Sequence, residues 1–123
     1  MTAASPIDVL KTLALPGRAV IDGALVEAAS GMTFHNVSPR DGTVLNQVAA
    51  CQSEDVDRAV AGARAAFEDG RWRDQGPRAK KAVLFKLAEL MERDAEQLAL
   101  LESVDTGKPI RDARAVDIPL AIG

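Results

Sequence analysis

The chain has 123 residues, 47% of them hydrophobic and 27% charged, which predicts one globular domain with a modest core. Its 15 basic and 18 acidic residues are interspersed and give a net charge of −3, so no basic surface for nucleic acid is expected. No apolar run approaches the roughly 20 residues that a membrane-spanning helix needs, so a soluble protein without a membrane partner is expected.

The first elements are a short helix and a β-hairpin. Apolar residues at helical spacing predict a leading helix over Ser5–Leu15, which Pro16 ends. Residues 18–26 place β-branched side chains before Asp22 and Gly23, a pair that tolerates positive φ in a tight turn. The sequence therefore predicts a hairpin centred on this pair.

A second extended segment follows a polar turn. Asn36–Gly42 is rich in turn-forming residues and leads into Thr43–Val48, which alternates as a strand does. From Ser53 the period becomes helical, with Ser53 as the expected N-cap and Gly70 as the expected end. Trp72, in the connection that follows, is expected to fill a gap between neighbouring helices.

The helix predicted from Ser53 has one apolar stripe, formed by Val56, Ala59, Val60, Ala63, Ala66 and Phe67. A second helix is predicted from Pro77, with a wide apolar stripe formed by Ala79, Val83, Leu84, Leu87, Ala88, Leu90 and Met91. Its opposite side is charged and carries Lys80, Lys81, Lys86, Glu89, Glu92 and Arg93.

Two further helices are expected. Asp94 and Gln97 resemble a capping box and predict a helix that Thr106–Pro109 ends. A last helix is predicted from Pro109 through Ile118, with Pro119 bending it. Because the chain then stops within an apolar stretch, residues 1–123 are interpreted as a domain part truncated at its carboxyl end.

The residues alone do not assemble a catalytic site. His35 is the single histidine, which excludes a histidine metal cluster, and it is interpreted as structural or exposed. Cys51 has no basic neighbour that would activate its thiol and is interpreted as inert. Thr106-Gly107-Lys108 is not a P-loop, because Glu102 stands where that pattern needs glycine. A Gly-x-Gly-x-x-Gly motif is also missing from the sequence.

Three segments together resemble the start of the aldehyde dehydrogenase superfamily. The first is Val20–Gly23 with Asn36–Gly42, and the second is Asp55–Val60 leading to Trp72. The third and most specific runs from Arg78 to Pro109 and includes Asp105-Thr106-Gly107-Lys108-Pro109. Asp117-Ile118-Pro119 is most similar to the branch that acts on γ-glutamyl-γ-aminobutyraldehyde and related ω-amino aldehydes.

The resemblance implies an α/β parent fold with a Rossmann-type cofactor domain. Within it, this stretch is expected to be mainly α-helical, with an amino-terminal β-hairpin and one further strand. Family members oxidise an aldehyde to a carboxylic acid through a cysteine thiolate, hydride transfer to NAD or NADP, and hydrolysis assisted by a glutamate. The matching catalytic and cofactor-binding positions lie beyond Gly123, and Cys51 lacks the family's cysteine context.

Several expectations follow from this resemblance. The chain alone is expected to be inactive and to hold no cofactor, whereas the intact enzyme is expected to be a cytoplasmic homodimer or homotetramer that binds an aldehyde. Many members also hold a monovalent cation with oxygen ligands, which map in part onto Asn36, Val37 and Asp105. The alternative reading of Asp105 is a carboxylate that ends a helix and binds the next loop.

Two hypotheses about the whole chain stay open. The leading one is a structural portion of an aldehyde oxidoreductase, and it predicts exposed apolar stripes. The alternative is a free-standing, mainly helical interaction module without catalysis, which predicts a stable domain on its own. A metal or redox protein is disfavoured by one histidine and one cysteine.

Overall fold

The computed structural model describes residues 14–123. They form two compact units, one containing residues 38–43 and 85–123 and the other containing residues 16–37 and 44–84. The helix predicted over Ser5–Leu15 lies almost entirely outside the described residues.

The predicted amino-terminal hairpin is confirmed. Strands β1 (Ala19–Ile21) and β2 (Ala24–Val26) pair antiparallel, with Ile21 opposite Ala24. Asp22 and Gly23 join them with φ values of 51° and 76°. Positive φ at both central residues matches the right-handed twist of the flanking strands, which is why this residue pair suits the turn.

A second antiparallel pair consists of β3 (Thr33–Val37) and β4 (Val44–Ala49). The further strand predicted over Thr43–Val48 is confirmed as β4. Strand β3 was not predicted, and it includes Asn36 and Val37, which the sequence assigned to the turn. A bulge between Asn36 and Val37 shifts the register of β3. Since a bulge breaks the alternation of side chains that marks a strand in sequence, β3 had no clear signal.

Helix α1 (Ser53–Glu68) begins at a buried carboxylate. Its N-cap is Gln52 and not Ser53, which corrects the sequence prediction. The Asp55 side chain, 1% exposed, accepts hydrogen bonds from the backbone N–H groups of Gln52 at 3.0 Å and Ala29 at 2.9 Å. These bonds favour the ionised form and hold the pKa of Asp55 below its usual value. One side chain thus ties the start of α1 to the loop after β2.

The segment after α1 differs from its predicted packing. Gly70 follows the helix with a φ of 77°, as its predicted role requires. Trp72, however, is 46% exposed, and the Lys80 ammonium lies 5.9 Å from its ring centroid. The expectation that Trp72 fills a gap between helices was wrong. A lysine in cation–π contact covers the ring instead.

Helix α2 (Pro77–Arg93) confirms the predicted amphipathic helix and has no buried residue. Val83, Leu84 and Leu87 are each more than half exposed. On the charged side, the Lys86 ammonium lies 2.8 Å from the Glu89 carboxylate, three residues along the helix. The apolar stripe is therefore exposed, as the leading sequence hypothesis expects.

Helix α3 (Ala95–Thr106) supplies two of the few buried apolar residues, Ala99 and Leu100. Its N-cap is Asp94, but the predicted capping box with Gln97 was wrong. The Asp94 carboxylate instead pairs with Arg93, at 2.7 Å. Gly107 caps the other end with a φ of 74°, which confirms the predicted stop.

The last predicted helix is present but contains a wider turn. It consists of α4 (Ile110–Asp112), a π-helical segment (Ala113–Asp117) and α5 (Ile118–Ile122). The Ile118 N–H donates to the Ala113 carbonyl five residues earlier. Proline lacks an N–H and its ring crowds the carbonyl four residues before it, so Pro119 is accommodated by this local widening.

The π-helical segment packs on α3, and Ala113 is fully buried at this contact. Close approach of the two elements therefore depends on the small side chain at this position. Among residues 14–123, none of the helices is long and apolar enough to cross a membrane.

Ala113→Leu is expected to destabilise the chain by about 1–3 kcal/mol, because extra methyl groups would push a well-packed contact apart. The measurement is chemical denaturation followed by circular dichroism. Ala115→Leu is the matched control, since Ala115 lies in the same π-helical segment but is exposed. Equal losses for the two variants would contradict the packing described above.

Candidate functional site

Two of the three predicted cation ligands, Asn36 and Val37, are neighbours at the end of β3. The bulge lies between them, and Val37 pairs with Val44 across the hairpin. Because a bulge takes backbone groups out of the regular ladder, it changes the direction of the carbonyl groups at this point. His35, one position earlier, is exposed and lies opposite Gln47.

The loop of residues 38–43 joins β3 to β4 and is held by its own hydrogen bonds. The Ser38 N–H donates to the Thr43 carbonyl at 2.8 Å, and the Gly42 N–H donates to the Ser38 carbonyl at 2.9 Å. The Asp41 carboxylate accepts from the Thr43 hydroxyl at 2.7 Å. The neighbouring Arg40 guanidinium, with Thr43, holds the pKa of Asp41 far below its usual value.

The third predicted ligand, Asp105, lies in the last turn of α3 and is exposed. It belongs to the other compact unit from Asn36 and Val37, so a joint site for the three residues stays a prediction. The turn after it is ordered by side-chain hydroxyl groups. Thr106 Oγ1 donates to the Glu102 carbonyl at 2.6 Å and accepts from the Lys108 N–H at 3.2 Å.

Gly107 is required in this turn for two reasons. Its positive φ is one that residues with a side chain rarely adopt. A Cβ at this position would also lie 3.1 Å from Pro39 Cγ in the loop of residues 38–43. The loop and the end of α3, which belong to the same compact unit, therefore pack directly against each other.

Lys108 joins the end of α3 to the π-helical segment. Its ammonium lies 2.6 Å from the Asp117 carboxylate and 3.5 Å from the Glu102 carboxylate. The hydrogen bond to Asp117 is the largest cause of a raised pKa at Lys108. The Lys108 carbonyl also accepts from the Ser103 hydroxyl at 2.7 Å. No local sequence rule predicts this cluster, because Glu102 and Asp117 lie six and nine positions from Lys108.

A second ion pair borders an open groove on the same unit. The Arg114 guanidinium binds the Glu96 carboxylate in a bidentate manner, with Nε to Oε2 at 2.8 Å. This pairing lowers the pKa of Glu96. The groove has a volume of about 380 Å³ and is lined by Glu92, Ala95, Glu96, Arg114, Ile118, Pro119 and Ile122.

The remaining predicted residues do not form a reactive cluster. Cys51 follows β4, is exposed and forms no disulfide. Within residues 14–123, no group of three or more histidine, cysteine, aspartate or glutamate side chains could hold a metal ion. The hydrogen bonds and ion pairs described above therefore hold loops and helix ends in position. The interpretation of Cys51 as inert stays a prediction.

Comparison with known proteins identifies the family. The Aldehyde dehydrogenase family matches residues 25–123, which is most of the chain. The chain belongs to the aldehyde dehydrogenase family. This confirms the resemblance read from the three sequence segments, including the Asp105–Pro109 motif.

Two curated relatives show how much of such a protein this chain represents. Aminoacetaldehyde dehydrogenase of Pseudomonas aeruginosa is 53% identical over 111 residues, which are 90% of this chain and 22% of that protein. The NADP/NAD-dependent aldehyde dehydrogenase PuuC of Escherichia coli is 48% identical over 88% of this chain and 22% of that protein. The chain thus spans about a fifth of these relatives.

Solved structures confirm the fold. The γ-glutamyl-γ-aminobutyraldehyde dehydrogenase of Burkholderia cenocepacia is 49% identical and superposes with a TM-score of 0.92 over 95% of this chain and 24% of that chain. The indole-3-acetaldehyde dehydrogenase AldA of P. syringae, solved with NAD⁺, is 45% identical with a TM-score of 0.91 and the same coverage. The mainly helical stretch belongs to the larger α/β fold of this family.

Lys108→Met is expected to lower the melting temperature by about 4 °C, since it leaves two partly buried carboxylates without their shared partner. Lys86→Met is the control, because the Lys86–Glu89 pair is about two-thirds exposed on both sides. A shift no larger than that of the control would contradict a stabilising role for Lys108.

The stability of the same variant should also depend differently on pH. A base whose pKa is raised by folding stabilises the folded state fully below its ordinary value of 10.5, and this contribution is lost as pH rises through the higher folded value. The Lys108→Met chain should therefore lose less stability at high pH than the unchanged chain. Thermal melts at increasing pH measure this difference.

Proposed function

We propose that this chain forms the amino-terminal part of an enzyme that oxidises an aldehyde to a carboxylic acid with NAD or NADP. The observation that carries the proposal is the 0.92 TM-score and 49% identity with a γ-glutamyl-γ-aminobutyraldehyde dehydrogenase over nearly the whole chain. Proteins solved with NAD⁺ superpose almost as well, which supports the choice of cofactor.

The substrate we propose is an ω-amino aldehyde or its N-acylated form. Two similar proteins, one named for aminoacetaldehyde and one for γ-glutamyl-γ-aminobutyraldehyde, act on aldehydes that carry a nitrogen group away from the reacting carbon. The intact enzyme would assemble as a homodimer or homotetramer in the cytoplasm. The nitrogen group would be recognised by parts of the fold that this chain does not match.

The contribution of this chain to the reaction would be structural. The thiolate that attacks the aldehyde, the cofactor contacts and the glutamate that activates water are expected in the remaining three-quarters of the family fold. The chain by itself would therefore not oxidise an aldehyde. Its two hairpins and its helices would supply a scaffold, with α2 as the largest exposed apolar element.

This chain would also contribute ligands to a monovalent cation site. Asn36, Val37 and Asp105 would offer oxygen ligands, which suit such an ion. The bulge between Asn36 and Val37 supports the proposal, because it changes the direction of the backbone carbonyl groups at this point. A cation held there would be coordinated by these oxygen atoms.

One observation also suits the alternative function. The exposed stripe of α2 is the kind of surface that a free-standing helical module uses to bind another protein. Such a module would be stable on its own and would need no further part of the fold.

The test is a fusion protein in which this chain replaces the matching quarter of the B. cenocepacia enzyme. We expect the fusion protein to reduce NAD⁺ or NADP⁺ in the presence of γ-glutamyl-γ-aminobutyraldehyde at a rate within about tenfold of the parent, because about half of the replaced residues are identical. This chain alone should show no turnover above background.

Two results would contradict the proposal. A folded fusion protein that binds NAD⁺ but does not oxidise aldehydes would show that this stretch is not interchangeable with its relatives. Turnover by this chain alone, lost on heating and absent from a mock preparation, would show that the catalytic machinery is not where we place it.

A further inference from the structure

The last helix changes its inner side at the π-helical segment. In a regular α-helix, the residue seven positions after Ala113 would share its side of the helix, and the residue nine positions after it would lie on the opposite side. The structure shows the reverse. Leu120, at the seventh position, is 77% exposed, whereas Ile122, at the ninth, is partly covered. The π turn therefore decides which apolar side chains approach α3.

One hydrogen bond accounts for this change. The Ile118 N–H donates to the Ala113 carbonyl, five residues earlier, where a regular α-helix would use the carbonyl of Arg114. The wider turn takes up one additional residue, so the residues after it are rotated by about 100° relative to a regular helix. This rotation brings Ile118 and Ile122 towards the side of Ala113, and both line the open groove together with Ala95.

The residues before the wider turn are fixed on α3. Ala113 is fully buried against this helix. The Arg114 guanidinium binds the Glu96 carboxylate in the first turn of α3, with Nε to Oε2 at 2.8 Å. A change in the width of the turn would therefore leave Ala113 and Arg114 in place and rotate the residues that follow.

Pro119 has the chemistry that enforces the wider turn. It has no N–H to donate to the Ala115 carbonyl, and in a regular α-helix its ring would collide with that carbonyl. Alanine in its place would carry an N–H and no ring, and alanine has the highest helix propensity. A regular α-helix would then become possible at this point.

We infer that Pro119 sets the rotational position of the last helix. With the proline, Ile118 and Ile122 pack towards α3 and Leu120 faces away from it. Without the proline, the helix becomes regular, Leu120 turns towards α3, and Ile122 turns outward. The inference is independent of the proposed function, because it concerns the packing within one compact unit of this chain.

The experiment labels single thiols with a maleimide in two chains, Leu120→Cys and Ile122→Cys. Both also carry Cys51→Ser, because Cys51 is exposed and would react. The thiol at position 120 should react at least about tenfold faster than the thiol at position 122, since exposure governs access to the reagent. Adding Pro119→Ala should reverse this order. Pro109→Ala is the matched control and should not, because Pro109 is the N-cap of α4 and lies outside the π turn.

An unchanged order or equal rates in the Pro119→Ala chain would overturn the inference, and so would a reversal in the Pro109→Ala chain. Loss of helical circular dichroism on Pro119→Ala would also overturn it, because alanine should extend regular helical bonding. If a cysteine variant does not fold, thermal melts of Leu120→Ala and Ile122→Ala provide the same comparison. Ile122→Ala should then lower the melting temperature more with Pro119 present, and Leu120→Ala more with Pro119→Ala. The same order in both backgrounds would contradict the inference.

Discussion

Most of the apolar stripe of α2 is exposed, although apolar side chains stabilise a protein only when other atoms cover them. Fully burying a valine or leucine side chain contributes roughly 1.5–3 kcal/mol. Val83, Leu84 and Leu87 forgo much of this contribution, because each is more than half exposed. An amphipathic helix is stabilised mainly by the residues that pack on its apolar face. The stability of this 17-residue helix therefore depends on the protein segment that covers its stripe.

Where apolar side chains are buried, the structure relies on small residues and charged anchors. Ala99 and Ala113 are fully buried and allow α3 and the π-helical segment to approach closely. Lys108 and Arg114 then connect these elements through Asp117 and Glu96. In the other unit, Asp55 performs a similar task between α1 and the loop at Ala29. These charged side chains hold the loops in position, although few apolar side chains are buried.

The helices could be predicted from the sequence, because their apolar periodicity extends over several turns and their ends carry strong signals. Gly107 marks the end of α3 in sequence and in structure. The same reasoning missed β3, where a bulge at Asn36 and Val37 disturbs the alternation, and misplaced Trp72, which Lys80 covers. The Lys108 cluster and the packing of Pro39 against Gly107 depend on chain segments brought together by folding, which no local pattern encodes. The proposed function rests on the family resemblance and not on the residues alone.

If this chain is part of a larger aldehyde dehydrogenase fold, the remainder of that fold covers the apolar stripe of α2. Hydrogen exchange of the α2 backbone amides, compared between this chain alone and the fusion protein, tests it most directly. We expect exchange at least about 100-fold slower in the fusion protein, concentrated between residues 83 and 91. Helix α3 should change less, because Ala99 and Leu100 are already buried. Equal protection of α2 in both proteins would contradict it and would favour a free-standing helical module.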